Sequence, residues 1–153
     1  MAIASVIQNS AKADLLRAGT NFNGAADTPA GHAFKLALYL STTTIDTTTT
    51  AYGGPSNEVA TATGYTGGGK ALTNTGVGTT TVTSFTDFSD VSWTSASFTT
   101  RGCLIYNTTS ITGLTANRAV CSIDFGGDKT VSSGTFTIQF PTNDASDAII
   151  RIY

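Results

Sequence analysis

The chain of 153 residues holds few side chains whose types and spacing could support catalysis or metal binding. His32 is the single histidine, and one imidazole cannot complete a zinc site without further ligands at a suitable spacing. No serine lies in a Gly-x-Ser-x-Gly segment, so a Ser–His–Asp triad would depend on the same histidine. We expect His32 to be structural or on the surface. We expect no catalytic, cofactor-binding or metal-binding residues.

Two pairs of nearby carboxylates are the strongest remaining candidates for chemistry. Asp87 and Asp90 are close together, and Asp124 and Asp128 surround two glycines. Paired acids can hydrolyse glycosidic bonds, and a calcium loop needs several oxygen ligands at alternating positions. The first pair is typical of loop caps at strand ends. The second pair supplies too few ligands, so neither predicts an enzyme or a metal site.

The glycine triplet Gly67–Gly69 could in principle surround a phosphate. A phosphate-binding loop joins a strand to the N-terminus of a helix. The residues that follow, ALTNTGVG, do not favour a helix. The triplet therefore predicts a turn between two strands, Val59–Thr66 and Lys70–Thr73.

The two cysteines, Cys103 and Cys121, lie in consecutive predicted strands. Pairing Tyr106 with Arg118 would place them opposite each other, where a cross-strand disulfide could form. Two reduced thiols facing the core are the favoured alternative, because we expect the chain to fold in a cytoplasm.

Composition favours strands and a surface that packs against neighbours. Threonine, which prefers strands, makes up roughly a fifth of the chain, and only 12% of residues are charged. The net charge is −2 and the basic residues are scattered singly, which excludes a nucleic-acid-binding face. No apolar run approaches the roughly 20 residues of a membrane span, and the N-terminus does not resemble a secretory signal.

The strongest strand pattern occupies Asn117–Phe140. Apolar side chains alternate through Ala119–Phe125 and again through Phe136–Phe140, while the intervening Gly126–Gly134 is rich in Gly, Ser and Asp. A period of two with a turn-rich link predicts a β-hairpin. His32–Leu40 alternates in the same way and predicts a further strand.

Two other segments invite contacts with a second protein. Gln8–Ala18 is the only predicted helix, capped by Asn9 or Ser10 and stopped at Gly19. It is either packed on its own domain or an arm that reaches a neighbouring subunit. Ser41–Glu58 is threonine-rich and predicts a long exposed excursion, a kind of loop that is often functional. The candidate interface residues in and near these segments are Leu15, Leu16, Arg17, Phe22, Ile45 and Tyr52.

Eight to ten short strands with one helix predict an all-β fold. We expect an antiparallel β-sandwich with jelly-roll-like topology and a short N-terminal helix or arm. Residues 1–31 would form the N-terminal segment and residues 32–153 a single sandwich domain.

Several motifs occur in an order that resembles a family of small virion proteins of tailed bacteriophages. The resemblance runs from about His32 to the end of the chain. It is carried by FKLALY, GYTGGG, the FTDF, VSW and SF cluster, RGCLIYN and DFGGDKTVSSGTFTI.

The resemblance implies a place in a virus particle and no enzymatic reaction. We expect a capsid decoration or cement protein on the capsid surface, assembled in the bacterial host cytoplasm. Its partner would be the major capsid protein or another virion protein, and it would form a homo-oligomer, with a trimer favoured. Alternatives are a tail, neck or fibre-associated subunit, and a carbohydrate- or receptor-binding module that uses Tyr39, Tyr52, Tyr65 and Trp93.

Overall fold

A computed structural model describes residues 2–24, 26–61 and 64–153 as an all-β protein built from two antiparallel sheets. Strands account for 46% of the chain and helix for 5%, which confirms the predicted all-β class. The elements are β1 Val6–Ile7, α1 Asn9–Leu16, β2 Phe34–Tyr39, β3 Lys70–Leu72, β4 Asn74–Thr79, β5 Ser84–Phe88, β6 Val91–Asn107, β7 Arg118–Ile138 and β8 Ile150–Ile152.

The two sheets share a core, which gives the chain a sandwich-like architecture. The five-stranded sheet has the order β1-β7-β6-β2-β3, and the three-stranded sheet has the order β4-β5-β8. Leu36 and Trp93 of the first sheet belong to the same buried cluster as Phe88 and Ile150 of the second. The jelly-roll topology stays a prediction, because this strand order does not establish it.

The predicted hairpin within Asn117–Phe140 is wrong. These residues hold one strand, β7, which pairs with β6 over most of its length. The polar link does not turn, because β6 offers it a partner: Phe98 pairs with Val131 and Thr99 with Thr130. Its glycines allow the strand to accommodate irregular pairing with β6: Gly126 adopts a φ of 74° beside the register shift near Gly102. The turn of the hairpin lies instead between β6 and β7.

The centre of the five-stranded sheet is buried on both faces, which explains why almost all of β2 is inaccessible. Leu36 and Leu38 face the second sheet, whereas Ala37 and Tyr39 face a separate cluster with Ile3 and Ile45. The excursion 41–58 therefore covers the outer face of the sheet. The prediction of an exposed excursion is wrong at Thr43 and Ile45, because both are fully buried.

The second predicted hairpin is also wrong. Lys70–Leu72 is a strand, but it pairs with β2, and no strand occurs in the described part of 59–66. Residues 62 and 63 of that expected arm lie outside the described residues. Gly69 fits its site because a Cβ there would lie 1.8 Å from the Leu36 carbonyl oxygen and φ is 69°. The glycine triplet thus lets a turn approach the backbone of β2.

Residues before position 32 pack into the same clusters as the strands. Ile3 and Phe22 are buried, β1 pairs with β7, and α1 lies against β7. Gln8 precedes α1 and makes no side-chain cap, so the predicted caps from Asn9 or Ser10 are wrong. The helix ends before Gly19 through a turn in which Ala18 takes the left-handed conformation.

The two cysteines are free and buried, on the face of the sheet that lines the main core. Tyr106 pairs with Ala119 instead of Arg118, because a register shift follows Ile105. Cys121 consequently lies opposite Ile105, and Cys103 opposite Ile123. Burial raises the pKa of the Cys121 thiol to about 12 and raises that of Cys103 as well.

Candidate interaction surface

Exposed large apolar side chains gather on one side of the molecule. In the described chain they are Leu16 (93% exposed), Val77 (52%), Val82 (76%), Ile152 (57%) and Tyr153 (93%). Leu16, Ile152 and Tyr153 line one depression of about 440 Å³. Val77 and Ile152 line a second of about 120 Å³. The two depressions share Leu15, Ile150 and Ile152, so four of the five exposed residues lie on one continuous surface.

We call this surface the α1–β8 face and define it by Leu15, Leu16, Val77, Ile150, Ile152 and Tyr153. α1 contributes to this face because it buries little of its own surface: only Ala11 and Asp14 are fully buried. Leu15 still packs against the core, but Leu16 is the next residue around the helix and faces outward. In β8, Ile150 is buried in the core while Ile152 extends beyond it.

Basic side chains border the α1–β8 face. Lys12 and Arg151 line its larger depression, and no carboxylate side chain lines either depression. Arg17, at the end of α1, lines a separate depression with Asp14 and Arg118; its side chain is 54% exposed and lies 3.6 Å from Asp14. Asp14 is itself buried and lies 2.9 Å from Arg118. The border of the face is therefore positive, although the whole chain carries a net charge of −2.

The outer edge of β8 adds backbone groups to this face. Thr86 pairs with Ile150 and Ser84 with Ile152, so β5 covers one edge of the strand. β8 ends the order β4-β5-β8, and within the described chain no strand covers its other edge. An open edge offers N–H and C=O groups to an extended segment of another protein.

A second apolar groove, of about 430 Å³, lies where β1 stops pairing with β7. Ile123, Phe125, Ile138 and Phe140 supply much of its lining, and Ile7 and Ile149 close its other side. It contains no charged residue. β1 pairs only with Cys121 and Ser122, so the edge of β7 beyond them carries no described strand.

The six interface residues predicted from the sequence are not brought together. Leu15 and Leu16 lie at the α1–β8 face, whereas Arg17 lines a separate depression with Asp14 and Arg118. Phe22 stacks on Phe34 at 5.0 Å in the main core, and Ile45 is fully buried under the excursion. These two residues are corrections: they fill the core of their own chain and present no surface to a partner. Tyr52 is half-buried and stacks on Tyr106 at 4.6 Å.

The excursion is held down by a cluster around Glu58, the only glutamate in the chain. Tyr52 and Tyr65 donate hydrogen bonds to its carboxylate at 2.5 and 2.7 Å, and the Gly68 N–H donates a third at 2.7 Å. Tyr106 donates to the Gly68 carbonyl at 2.7 Å. Burial, followed by the nearby carboxylate, raises the pKa of Tyr106 to about 12. In the sequence, the feature that could have indicated this cluster is the single glutamate, which lies between Tyr52 and Tyr65.

The histidine and the buried ion pair both contact the loop that follows α1. Asn107 Nδ2 lies 2.8 Å from His32 Nδ1, and the Asn21 N–H donates to the same nitrogen. Burial and the nearby Arg118 lower the pKa of His32. Arg118 also donates to the Gly19 carbonyl at 2.8 Å, which joins β7 to the end of α1. Together these contacts fix the loop that follows the helix.

The carboxylate pairs also make local contacts. Asp87 is buried and accepts hydrogen bonds from the N–H groups of Phe88 and Ile149, and burial raises its pKa. Asp124 accepts two hydrogen bonds from Arg101, which lower its pKa. Within residues 2–24, 26–61 and 64–153, no group of three or more His, Cys, Asp or Glu side chains could hold a metal ion. The described part of the chain contains no helix able to span a membrane.

Comparison with known proteins returns no match: no family model, curated protein or solved structure is similar to this chain.

Proposed function

We propose that this chain is a non-enzymatic virion structural protein of a tailed bacteriophage, and that it is a capsid decoration subunit that binds the shell. The observation that carries the proposal is the clustering of exposed apolar side chains on the α1–β8 face. A continuous exposed apolar patch with a polar border is typical of a protein–protein contact surface. The motif resemblance supplies the particle as the setting for that contact.

Such a subunit would act through binding free energy. A protein that binds the assembled shell and not the dissociated subunits stabilises the assembled state by mass action. The effect is repeated at every equivalent site of the particle. The low charge content of the chain suits this role, because close packing of many copies then meets little electrostatic repulsion.

A carbohydrate-binding role has less support. Sugar rings stack on exposed aromatic rings. Tyr39, Tyr65 and Trp93 are buried, and Tyr52 is already stacked on Tyr106. The aromatic rings suggested by the sequence are therefore packed against their own chain and are not free to stack on a sugar ring. A tail, neck or fibre location would use the same kind of apolar face, so copy number has to separate it from decoration.

Quantitative mass spectrometry of purified particles tests the proposal. The particles should come from the phage whose genome encodes this chain, with the major capsid protein as the internal standard. Decoration predicts hundreds of copies per particle. A number on the order of six or twelve would favour a ring in the tail or neck, and absence from the particles would overturn any virion role.

A further inference from the structure

We propose that the α1–β8 face binds a protein surface on which apolar side chains are bordered by Asp or Glu carboxylates. The inference rests on the proposed function for its setting, in which the partner is a shell protein. It adds the chemistry of the contact and the residues that make it.

The apolar part of the argument comes from side chains without partners in their own chain. Leu16 and Tyr153 are each 93% exposed, and Ile152 is 57% exposed. They adjoin Leu15 and Ile150, which connect the surface to the core. A rigid apolar centre of this kind is where binding energy is usually concentrated.

The charges at the border of the face indicate the chemistry of the partner surface. Lys12 and Arg151 line the depression, and neither belongs to a salt bridge in the described chain. The face therefore presents cations whose charge its own chain leaves unbalanced. Carboxylates on the partner would complement them and would steer the encounter.

The same charges argue against two other occupants. A second copy on a two-fold axis would bring the same patch to both sides, so Lys12 and Arg151 would meet like charges. An anionic membrane is usually bound by clusters of about four to eight basic residues. The border holds two, Lys12 and Arg151, in a chain with a net charge of −2.

Re-addition of the purified protein to particles that lack it tests the inference. Such particles can be made by deleting its coding sequence from the phage genome. We expect Leu16→Asp to raise the Kd about 30-fold or more, because a charge would replace an apolar anchor. Val82→Asp is the matched control, since Val82 is exposed but lies outside the face, and it should leave the Kd unchanged.

A second pair of variants tests whether the partner surface carries carboxylates. We expect the double variant Lys12→Glu, Arg151→Glu to raise the Kd about 10-fold and to reverse the dependence of binding on salt, because the glutamates would repel the carboxylates of the partner. Lys129→Glu reverses an exposed cation elsewhere and should do neither. Circular dichroism melts check that each variant is folded, which is expected because all the substituted side chains are exposed.

The outcomes separate the inference from the proposed function. If the wild-type chain fails to bind particles at any salt concentration, the proposed function is wrong. If it binds but Leu16→Asp binds equally well, the function stands and the face is the wrong one. If only the double charge variant is without effect, the acidic partner is refuted.

Two further measurements test the alternative occupants directly. Sedimentation should show that the free protein does not self-associate through this face: any oligomer of the wild-type protein should persist in the Leu16→Asp variant. Flotation with vesicles of phosphatidylserine and phosphatidylcholine should leave the protein unbound. A dimer that depends on Leu16, or vesicle binding that depends on Lys12 and Arg151, would overturn the inference.

Discussion

The excursion and the α1–β8 face differ in whether their side chains have partners in their own chain. In the excursion, Ile45 is buried and Tyr52 bonds Glu58, so the segment is occupied by its own chain. On the α1–β8 face, Leu16 and Ile152 have no comparable partner. Length and polarity made the excursion look like a docking loop. Apolar side chains that remain exposed after folding are therefore a better guide to a contact surface than loop length.

The largest expected effect concerns the support beneath the α1–β8 face. Arg118→Ala should lower the free energy of unfolding by about 3–5 kcal/mol, because it leaves Asp14 buried without its partner. Urea unfolding measures the loss. Arg101→Ala is the matched control: its pair with Asp124 is partly exposed and should contribute about 1 kcal/mol or less. Equal losses in the two variants would show that α1 does not depend on the buried pair.

Glu58→Ala should release the excursion. It removes the acceptor of three hydrogen bonds and should cost about 2–3 kcal/mol. Hydrogen exchange should accelerate in residues 41–58 and remain unchanged in α1. Glu58→Gln keeps one oxygen acceptor and should cost less. If exchange in 41–58 did not change in the alanine variant, the cluster would not be what holds the excursion.

Alkaline pH should act on the same cluster. Burial raises the pKa of Tyr39, Tyr52, Tyr65 and Tyr106 above the ordinary value of 10.0. As pH rises past that value, the unfolded chain releases protons that the folded chain retains, so stability is complete below about pH 10 and is lost above it.

Tyr52→Phe checks this linkage. Removing one such hydroxyl should reduce the slope of unfolding free energy against pH by up to about 1.4 kcal/mol per pH unit. Denaturant unfolding between pH 9 and pH 11 measures that slope. An unchanged slope would mean that Tyr52 ionises equally in both states.

The smallest effect is expected on the face itself. Leu16→Asp should change the free energy of unfolding by no more than about 0.5 kcal/mol, because the side chain makes little contact with its own chain. Leu15→Asp should cost more, since Leu15 packs against the core. Thermal melts of the two variants provide the comparison. A large loss for Leu16→Asp would mean that this residue stabilises the fold and does not form a free surface.

The fold class could be predicted because alternation and composition are local properties. β2 and the two ends of β7 follow the alternation of their apolar residues. The continuity of β7 could not be predicted, because Gly126–Gly134 remains extended only through its pairing with β6. A turn-rich composition is ambiguous when a partner strand is available from elsewhere in the chain.

The candidate site could be predicted only in part, for a similar reason. The helix alone predicts Leu15, Leu16 and Arg17 at an interface, and the first two line the α1–β8 face. Ile152 and Tyr153 were missed, because their proximity to α1 depends on where β8 pairs. Phe22 and Ile45 look equally available in the sequence, and only the packing of distant strands makes them core residues.

Hydrogen exchange, measured on assembled particles and on the free protein, tests whether the α1–β8 face is the docking surface. If the α1–β8 face is the docking surface, residues 9–17 and 150–153 should be protected on the particle, while residues 41–58 exchange as in the free chain. Protection confined to 41–58, with α1 and β8 unchanged, would contradict the account.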